Sequence, residues 1–274
     1  MVPEQYNSKR FEAVLDDKNF RQLLVRHTID EAHLVDTWGG SFRSAYLNIG
    51  PLHLKLDSSV VLVGMTATLK PGRSQKLVLD QLGFTGRSNT RMAPLIFHMP
   101  IDRPSLKMSS RLLQHGLGGH TFPDLYFVLP IFTGMSPYPE IERRIIACGT
   151  IGLANRVIEF LDRQLPSDYP DRLWKIMPYH LLMSVEYRDN ILIEYEKEGS
   201  SVRIIVATNC LVNGIDTSVE EIVVLHQEDS FEGMVQWAGR AGRRGKPGHA
   251  IIYGAKWLSD NITRTAAETH AVKE

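Results

Sequence analysis

The chain has 274 residues, 43% of them hydrophobic and 23% charged, an ordinary profile for a soluble globular protein with room for one large domain or two modest ones. Lysine plus arginine and aspartate plus glutamate number 31 each, so net charge does not argue for nucleic acid, although a local basic groove is compatible with a neutral sum. Two cysteines, Cys148 and Cys210, stand far apart outside any CxxC, which excludes a zinc cluster built by spacing and reads as two reduced core thiols.

No uncharged stretch reaches membrane-spanning length, and the first ten residues lack the apolar segment of a secretion signal, so no membrane partner and a cytosolic or nuclear setting are expected. Short apolar runs alternate with amphipathic stretches, which predicts an α/β protein with a largely parallel sheet. A helix is expected over 8–15, where Phe11, Val14 and Leu15 share one face behind Asn7 as a cap. A strand over 23–29 ends at Asp30-Glu31-Ala32-His33. A second, wholly apolar strand over 60–65 ends at Thr66-Ala67-Thr68, and Pro71-Gly72 breaks the chain before a helix over 74–82.

Residues 85–138 are rich in Pro, Gly, Arg and Ser and carry one expected strand, over 125–129; a domain junction is placed near residue 98. Beyond it the rhythm returns with a strand over 144–148 and a helix face made by Leu153, Val157, Phe160, Leu161 and Leu165. Strands over 202–207, 222–225 and 249–253 and a helix over 231–239 complete the set, and the polar tail 259–274 reads as frayed or as a helix stub.

Five constellations bear chemistry. Asp30-Glu31-Ala32-His33 ends a strand, where open α/β sheets bind ligands; its paired carboxylates suit a cation held through phosphates and water, or form a plain acidic surface turn. Trp38-Gly39-Gly40-Ser41-Phe42-Arg43 combines aromatics, small residues and an arginine, a stacking element for single strands or two aromatics packed in a core. Thr66 and Thr68 either relay position between a nucleotide and a strand or cap the next turn. Thr208 and Asn213-Gly214-Ile215-Asp216 follow a strand; Asp216 can accept from a ribose or a hydrated metal, or form an Asx turn.

The fifth, Gln236-Trp237-Ala238-Gly239-Arg240-Ala241-Gly242-Arg243, is the most specific. Arg240 and Arg243 are three apart and expected on one side of a helical turn, and guanidinium forks match phosphate oxygens. A basic helix end is the structural alternative, but Gly239, Gly242 and Gly245 carry a helix-propensity cost that argues against it.

In this order the elements resemble the RecQ-like branch of superfamily-two DNA helicases: Asp30 to His33 resembles motif II, Thr66 to Thr68 motif III, residues 144–161 motif IV, residues 207–216 motif V, and Gln236 to Arg243 motif VI. Tyr179-His180 with Arg188 is similar to the segment leading into motif V, Pro3-Glu4-Gln5 to the end of motif Ib, and the loop at Trp38 to the aromatic-rich loop after motif II. The resemblance implies two RecA-like lobes with mainly parallel sheets, over 1–97 (the C-terminal part of the first lobe, incomplete) and 98–258, with a tail at 259–274. It implies ATP and Mg²⁺ as cofactors, 3′-to-5′ unwinding of single-stranded or forked DNA, and a nuclear role in DNA repair and recombination. Asp30 would hold the metal and Glu31 orient the attacking water. His33 would couple hydrolysis to strand movement, and Gln236, Arg240 and Arg243 would stabilise the γ-phosphate. Asp216 and Gly214 would lie near the ribose, while Trp38, Phe42, Arg43, Thr66, Thr68 and Thr208 would meet DNA.

The chain departs from that pattern most plainly at the nucleotide site. No GxxxxGK[ST] phosphate loop occurs in the sequence. The 274 residues are therefore expected not to hydrolyse ATP alone, and residues 1–97 are expected to form a marginal lobe with a bared edge at 60–65, completed by a missing segment or another chain. The alternatives are a non-catalytic helicase fragment that binds nucleic acid or protein, and an RNA helicase, disfavoured by the loop at Trp38.

Overall fold

The structure, a computed structural model, describes residues 5, 8–35, 49–57, 59–69, 71–85, 94–99, 103–134, 137–211, 219–225, 231–243 and 245–254. The chain divides into two compact units, Met1–Asp102 and Arg103–Glu274.

In the first unit, helix α1 (Lys9–Asp16) starts at Ser8, whose Oγ accepts the Phe11 amide at 3.2 Å. Ser8 is thus the cap, and not Asn7. The Asp17 carboxylate accepts the amides of Asn19 and Phe20 at 2.7 and 3.1 Å and starts a second helix, α2 (Lys18–Leu23). That local cap overrides the apolar run expected as a strand from residue 23, so β1 is confined to Arg26–Ile29.

β1 pairs in parallel with β2 (Val61–Gly64), Arg26 opposite Val61. Helix α3 (Ile49–Lys55) was not legible, because Gly50-Pro51 reads as a break. Pro51 is tolerated in a first turn. A Cβ on Gly50 would sit 2.0 Å from the Gln81 carbonyl oxygen, which shows how closely α3 meets helix α4 (Arg73–Gln81). The core of this unit is small: Ile29, Ala32, Val35, Ile49, Val78 and Leu82. Among the described residues its sheet has two strands. The run at 60–65, apolar enough to be a core strand, leaves Val61 and Met65 exposed.

The second unit is built on a six-stranded parallel sheet in the order β3-β8-β7-β4-β6-β5. The strands are β3 (Leu106–Leu112), β4 (Arg144–Ala147), β5 (Ile176–Tyr179), β6 (Ile204–Ala207), β7 (Glu221–Val224) and β8 (Gly248–Gly254). Alternate residues face opposite sides, as the two-residue period of a strand requires. Ile146, Val206, Val223 and Ile251 meet α5 (Ile151–Gln164) through Val157, Phe160 and Leu161. Ile145, Ile205, Ile222 and Ala250 meet α7 (Val185–Glu196) and α8 (Phe231–Ala238) through Ile191, Tyr195 and Trp237. The short helix α6 (Arg172–Lys175) leads into β5. β5 is an edge strand, which is where Pro178 costs no ladder hydrogen bond.

Two expectations between 85 and 138 fail. Residues 125–129 form no strand but end a 3₁₀ helix, Pro123–Val128. Pro123 presets its first turn, and Leu125 and Val128, three residues apart, are fully buried on one side, the period of that helix. β3 was unread because its pattern is largely polar and exposed; it sits at the sheet edge, held by β8.

One polar stripe crosses the sheet at the amino ends of its strands. Buried Arg144 donates Nε to Glu221 at 2.5 Å and Nη1 to the Val128 carbonyl at 2.7 Å, and it pairs with Glu142. Glu221 also meets His249 Nδ1 at 3.2 Å, and His249 Nε2 meets Ser109 Oγ at 2.8 Å. Truncating one partner leaves a buried charge uncompensated. Arg144→Ala is expected to destabilise the second unit by about 3–5 kcal/mol, measured by urea unfolding.

Burial pushes the Cys148 thiol up to about 12, while half-buried Cys210 is raised by burial to a smaller degree. Because the thiolate is the reactive form, native protein at pH 8 is expected to keep Cys148 unlabelled by iodoacetamide until it unfolds, as read by mass spectrometry.

Candidate functional site

In the first unit the parallel pairing of β1 with β2 brings two loops to the same carboxyl end of the sheet. The Met65 amide donates to the Ile29 carbonyl at 2.8 Å, and the Ala32 amide to the Met65 carbonyl at 2.9 Å. These bonds lock the segment Asp30 to His33 against Thr66. His33 is buried; its Nδ1 lies 2.9 Å from Thr66 Oγ1 and 3.4 Å from Glu31 Oε2. Thr66 Oγ1 also accepts the Thr68 amide at 3.3 Å, while Thr68 Oγ1 is buried with no hydrogen-bond partner among the described residues. Five of the expected residues therefore form one cluster: Asp30, Glu31, His33, Thr66 and Thr68.

Asp30 and Glu31 are exposed and Asp30 Oδ1 accepts the Glu31 amide at 2.9 Å. Glu31 adopts φ 49°, a left-handed conformation that costs a non-glycine residue on the order of 1–2 kcal/mol. Among the described residues no group of three or more His, Cys, Asp or Glu could cage a metal.

In the second unit the expected residues lie at opposite ends of the sheet. Thr208 follows the carboxyl end of β6; its amide donates to the Tyr179 carbonyl at 3.1 Å and its hydroxyl to the Cys210 thiol at 3.7 Å. Burial raises the Tyr179 hydroxyl and the Cys210 thiol above their ordinary pKa values, an effect that Arg188 on α7 opposes, and His180, next to Tyr179 in sequence, is buried. The loop Gly239 to Arg243, in contrast, lies at the amino end of β7, where Ala241 bridges Val219. At about 3.3 Å per residue, four-residue strands separate the two ends by roughly 13 Å.

Gln236 sits in the last turn of α8, but Arg240 and Arg243 lie past its end. The expectation that both arginines occupy a helical turn is corrected. Gly242, at φ 63°, turns the chain so that its amide donates to the Val219 carbonyl at 2.9 Å. A Cβ on Gly248 would stand 2.2 Å from the Gly242 nitrogen, so the two glycine backbones touch where any side chain would collide. Arg240 is buried and Arg243 half-buried, its Nε donating to the Gly239 carbonyl at 3.0 Å.

A residue that sequence reasoning passed over completes this loop. Arg103 donates Nη1 to the Gly239 carbonyl at 3.0 Å and Nη2 to the carbonyls of Ala241 and Gly242 at 3.1 and 2.6 Å. It stands 136 residues from Gly239 in a Pro- and Arg-containing stretch, with no local signal of its role. Trp38, Phe42, Arg43, Gly214 and Asp216 lie outside the described residues.

Residues 140–245 match the model of the helicase conserved C-terminal domain. The chain is 28% identical over 265 residues to the RecQ-like DNA helicase BLM of Xenopus laevis, covering 90% of this chain and 16% of that protein. It is 30% identical over 234 residues to the ATP-dependent DNA helicase hus2/rqh1 of Schizosaccharomyces pombe, covering 85% and 15%. The chain thus spans about a sixth of the length of these curated relatives.

Among solved structures, Dbp5 of S. cerevisiae bound to RNA and ADP BeF3 aligns with a TM-score of 0.58 at 16% identity, covering 88% of this chain and 56% of that one. The Mycobacterium smegmatis helicase Lhr bound to ssDNA and AMP-PNP aligns with a TM-score of 0.53 at 18% identity, covering 88% and 30%. Both likenesses concern the fold. Residues 140–245 thus match a helicase C-terminal domain, and over most of its length the chain is similar to RecQ-like DNA helicases.

Proposed function

We propose that the protein takes part in ATP-dependent, 3′-to-5′ unwinding of DNA, with Asp30 holding Mg²⁺ through water and phosphate oxygens and Glu31 orienting the attacking water. The observation that carries this reading is the 2.9 Å approach of His33 Nδ1 to Thr66 Oγ1, with Glu31 Oε2 3.4 Å from the same nitrogen. It ties a carboxylate suited to hydrolysis to a hydroxyl-bearing loop suited to sensing a strand. Gln236, Arg240 and Arg243 supply the charge that a transferring γ-phosphate needs. Thr66, Thr68 and Thr208, with Trp38, Phe42 and Arg43, contact the single strand; Gly214 and Asp216 lie by the ribose. We assign residues 1–97 to the C-terminal part of the first RecA-like lobe, 98–258 to the second and 259–274 to a tail, and a nuclear setting fits the role.

Purified chain is expected to bind single-stranded DNA, with affinity falling steeply as salt rises, and RNA of the same sequence to compete about tenfold less well in fluorescence anisotropy. Equal or better competition by RNA would move the reading to an RNA helicase.

A second reading, a non-catalytic helicase segment that binds nucleic acid or protein, is favoured by one feature: no GxxxxGK[ST] loop occurs in the 274 residues. Backbone amides and a lysine of that loop cradle the phosphates elsewhere in such motors. The 274 residues alone are accordingly expected to show no DNA-stimulated ATP turnover. Turnover that Glu31→Gln abolishes would overturn that expectation and establish the hydrolytic role of Glu31.

A further inference from the structure

We propose that Arg103 is the positioning residue of the arginine loop, the side chain that holds Arg240 and Arg243 in register for a phosphate. The inference rests on the nucleotide role assigned to those two arginines. Its basis is the fork of one guanidinium over three carbonyl oxygens, those of Gly239, Ala241 and Gly242, all within 3.1 Å. These residues flank Arg240 on both sides.

Three features make the arrangement more than a chance surface contact. Carbonyls just beyond the end of a helix lack intrahelical partners and carry the negative end of its dipole, so a permanent cation is favoured there. α8 ends at Ala238, immediately before the loop. The Gly239 carbonyl is also shared: it accepts Arg103 Nη1 at 3.0 Å and Arg243 Nε at 3.0 Å. One oxygen thus fixes the direction in which Arg243 leaves the backbone, and Arg103 fixes that oxygen. Main-chain bonds also tie the loop, among them those from the Gly242 amide to the Val219 carbonyl and from the Val219 amide to the Arg240 carbonyl at 3.4 Å. These two run to the residue before β7, whereas Arg103 reaches the carbonyls of Gly239, Ala241 and Gly242.

Arg103 is also the first residue of the second unit. Its backbone starts the turn into β3, the Leu106 amide donating to the Arg103 carbonyl at 2.8 Å, and Ser105 accepts the Gly248 amide at 2.8 Å. The segment by which the chain enters the unit and the loop that carries the arginines are therefore one hydrogen-bonded assembly. Lysine cannot replace Arg103 here, because a single ammonium on a flexible stem does not reproduce a planar fork across three acceptors.

The test is amide hydrogen exchange of the full 274-residue chain, as wild type, Arg103→Ala and Arg103→Lys, read at 239–243 and at β4 and β6. Both variants are expected to speed exchange at 239–243 about tenfold while β4 and β6 keep their protection. Millimolar guanidinium chloride is expected to restore protection in Arg103→Ala, because the small cation fills the vacated fork. Unchanged exchange at 239–243 overturns the proposal, as does acceleration spread equally over β4 and β6 without rescue, which would make Arg103 a general structural residue. Failure of the nucleotide reading shows separately: the wild-type loop then exchanges at the same rate with and without ATP, whatever the variants do.

Discussion

Parallel strand pairing is the constraint on which both clusters of candidate functional side chains depend. A parallel pair cannot be closed by a tight turn, so each connection crosses over and every strand delivers its following loop to the same end. In the first unit this alone puts Asp30 to His33 beside Thr66, through two backbone hydrogen bonds that continue the β1–β2 pairing beyond the strands. In the second unit the same rule sends Thr208 and His180 to the carboxyl end of the sheet. The arginine loop falls at the other end because α8 returns antiparallel to the strands before β8 begins.

That loop is where the molecule accepts local cost. A buried arginine is unfavourable in isolation, and the positive φ of Gly242 and its close approach to Gly248 leave no room for a side chain at either glycine. They persist because main-chain hydrogen bonds from Val219 and the Arg103 fork satisfy the polar groups of the turn. Glu31 shows the same logic in the first unit, its left-handed backbone held by the hydrogen bonds of Ala32 and Leu34 on its carboxyl side.

The two units differ in how much apolar surface they can bury. The six-stranded sheet has two covered faces and draws on α5, α7 and α8 for their other halves. The described part of the first unit has a two-stranded sheet and a core of about half a dozen side chains, and it leaves Leu23, Val25 and Val61 more than half exposed. Since burial stabilises by about 25 cal/mol per Å² of apolar surface, the described part of the second unit gains more from burial than that of the first. The charge stripe through Arg144, Glu221 and His249 adds specificity there, since it is satisfied only when β3, β8, β7 and β4 are in register.

The sequence by itself determined the fold class, most of the strands of the second unit and the helix face of α5, and it singled out the candidate residues from Asp30 to Arg243. These signals are local: apolar period, strand-end carboxylates and a spaced arginine pair all reside within a few neighbouring positions. Tertiary structure decided the rest. It turned 125–129 into a 3₁₀ helix, drew polar β3 into the sheet edge, moved Arg240 and Arg243 past the end of α8, and recruited Arg103 across 136 residues. None of these leaves a mark in its own segment, because each is settled by which backbone groups elsewhere remain to be hydrogen-bonded once the sheet has formed.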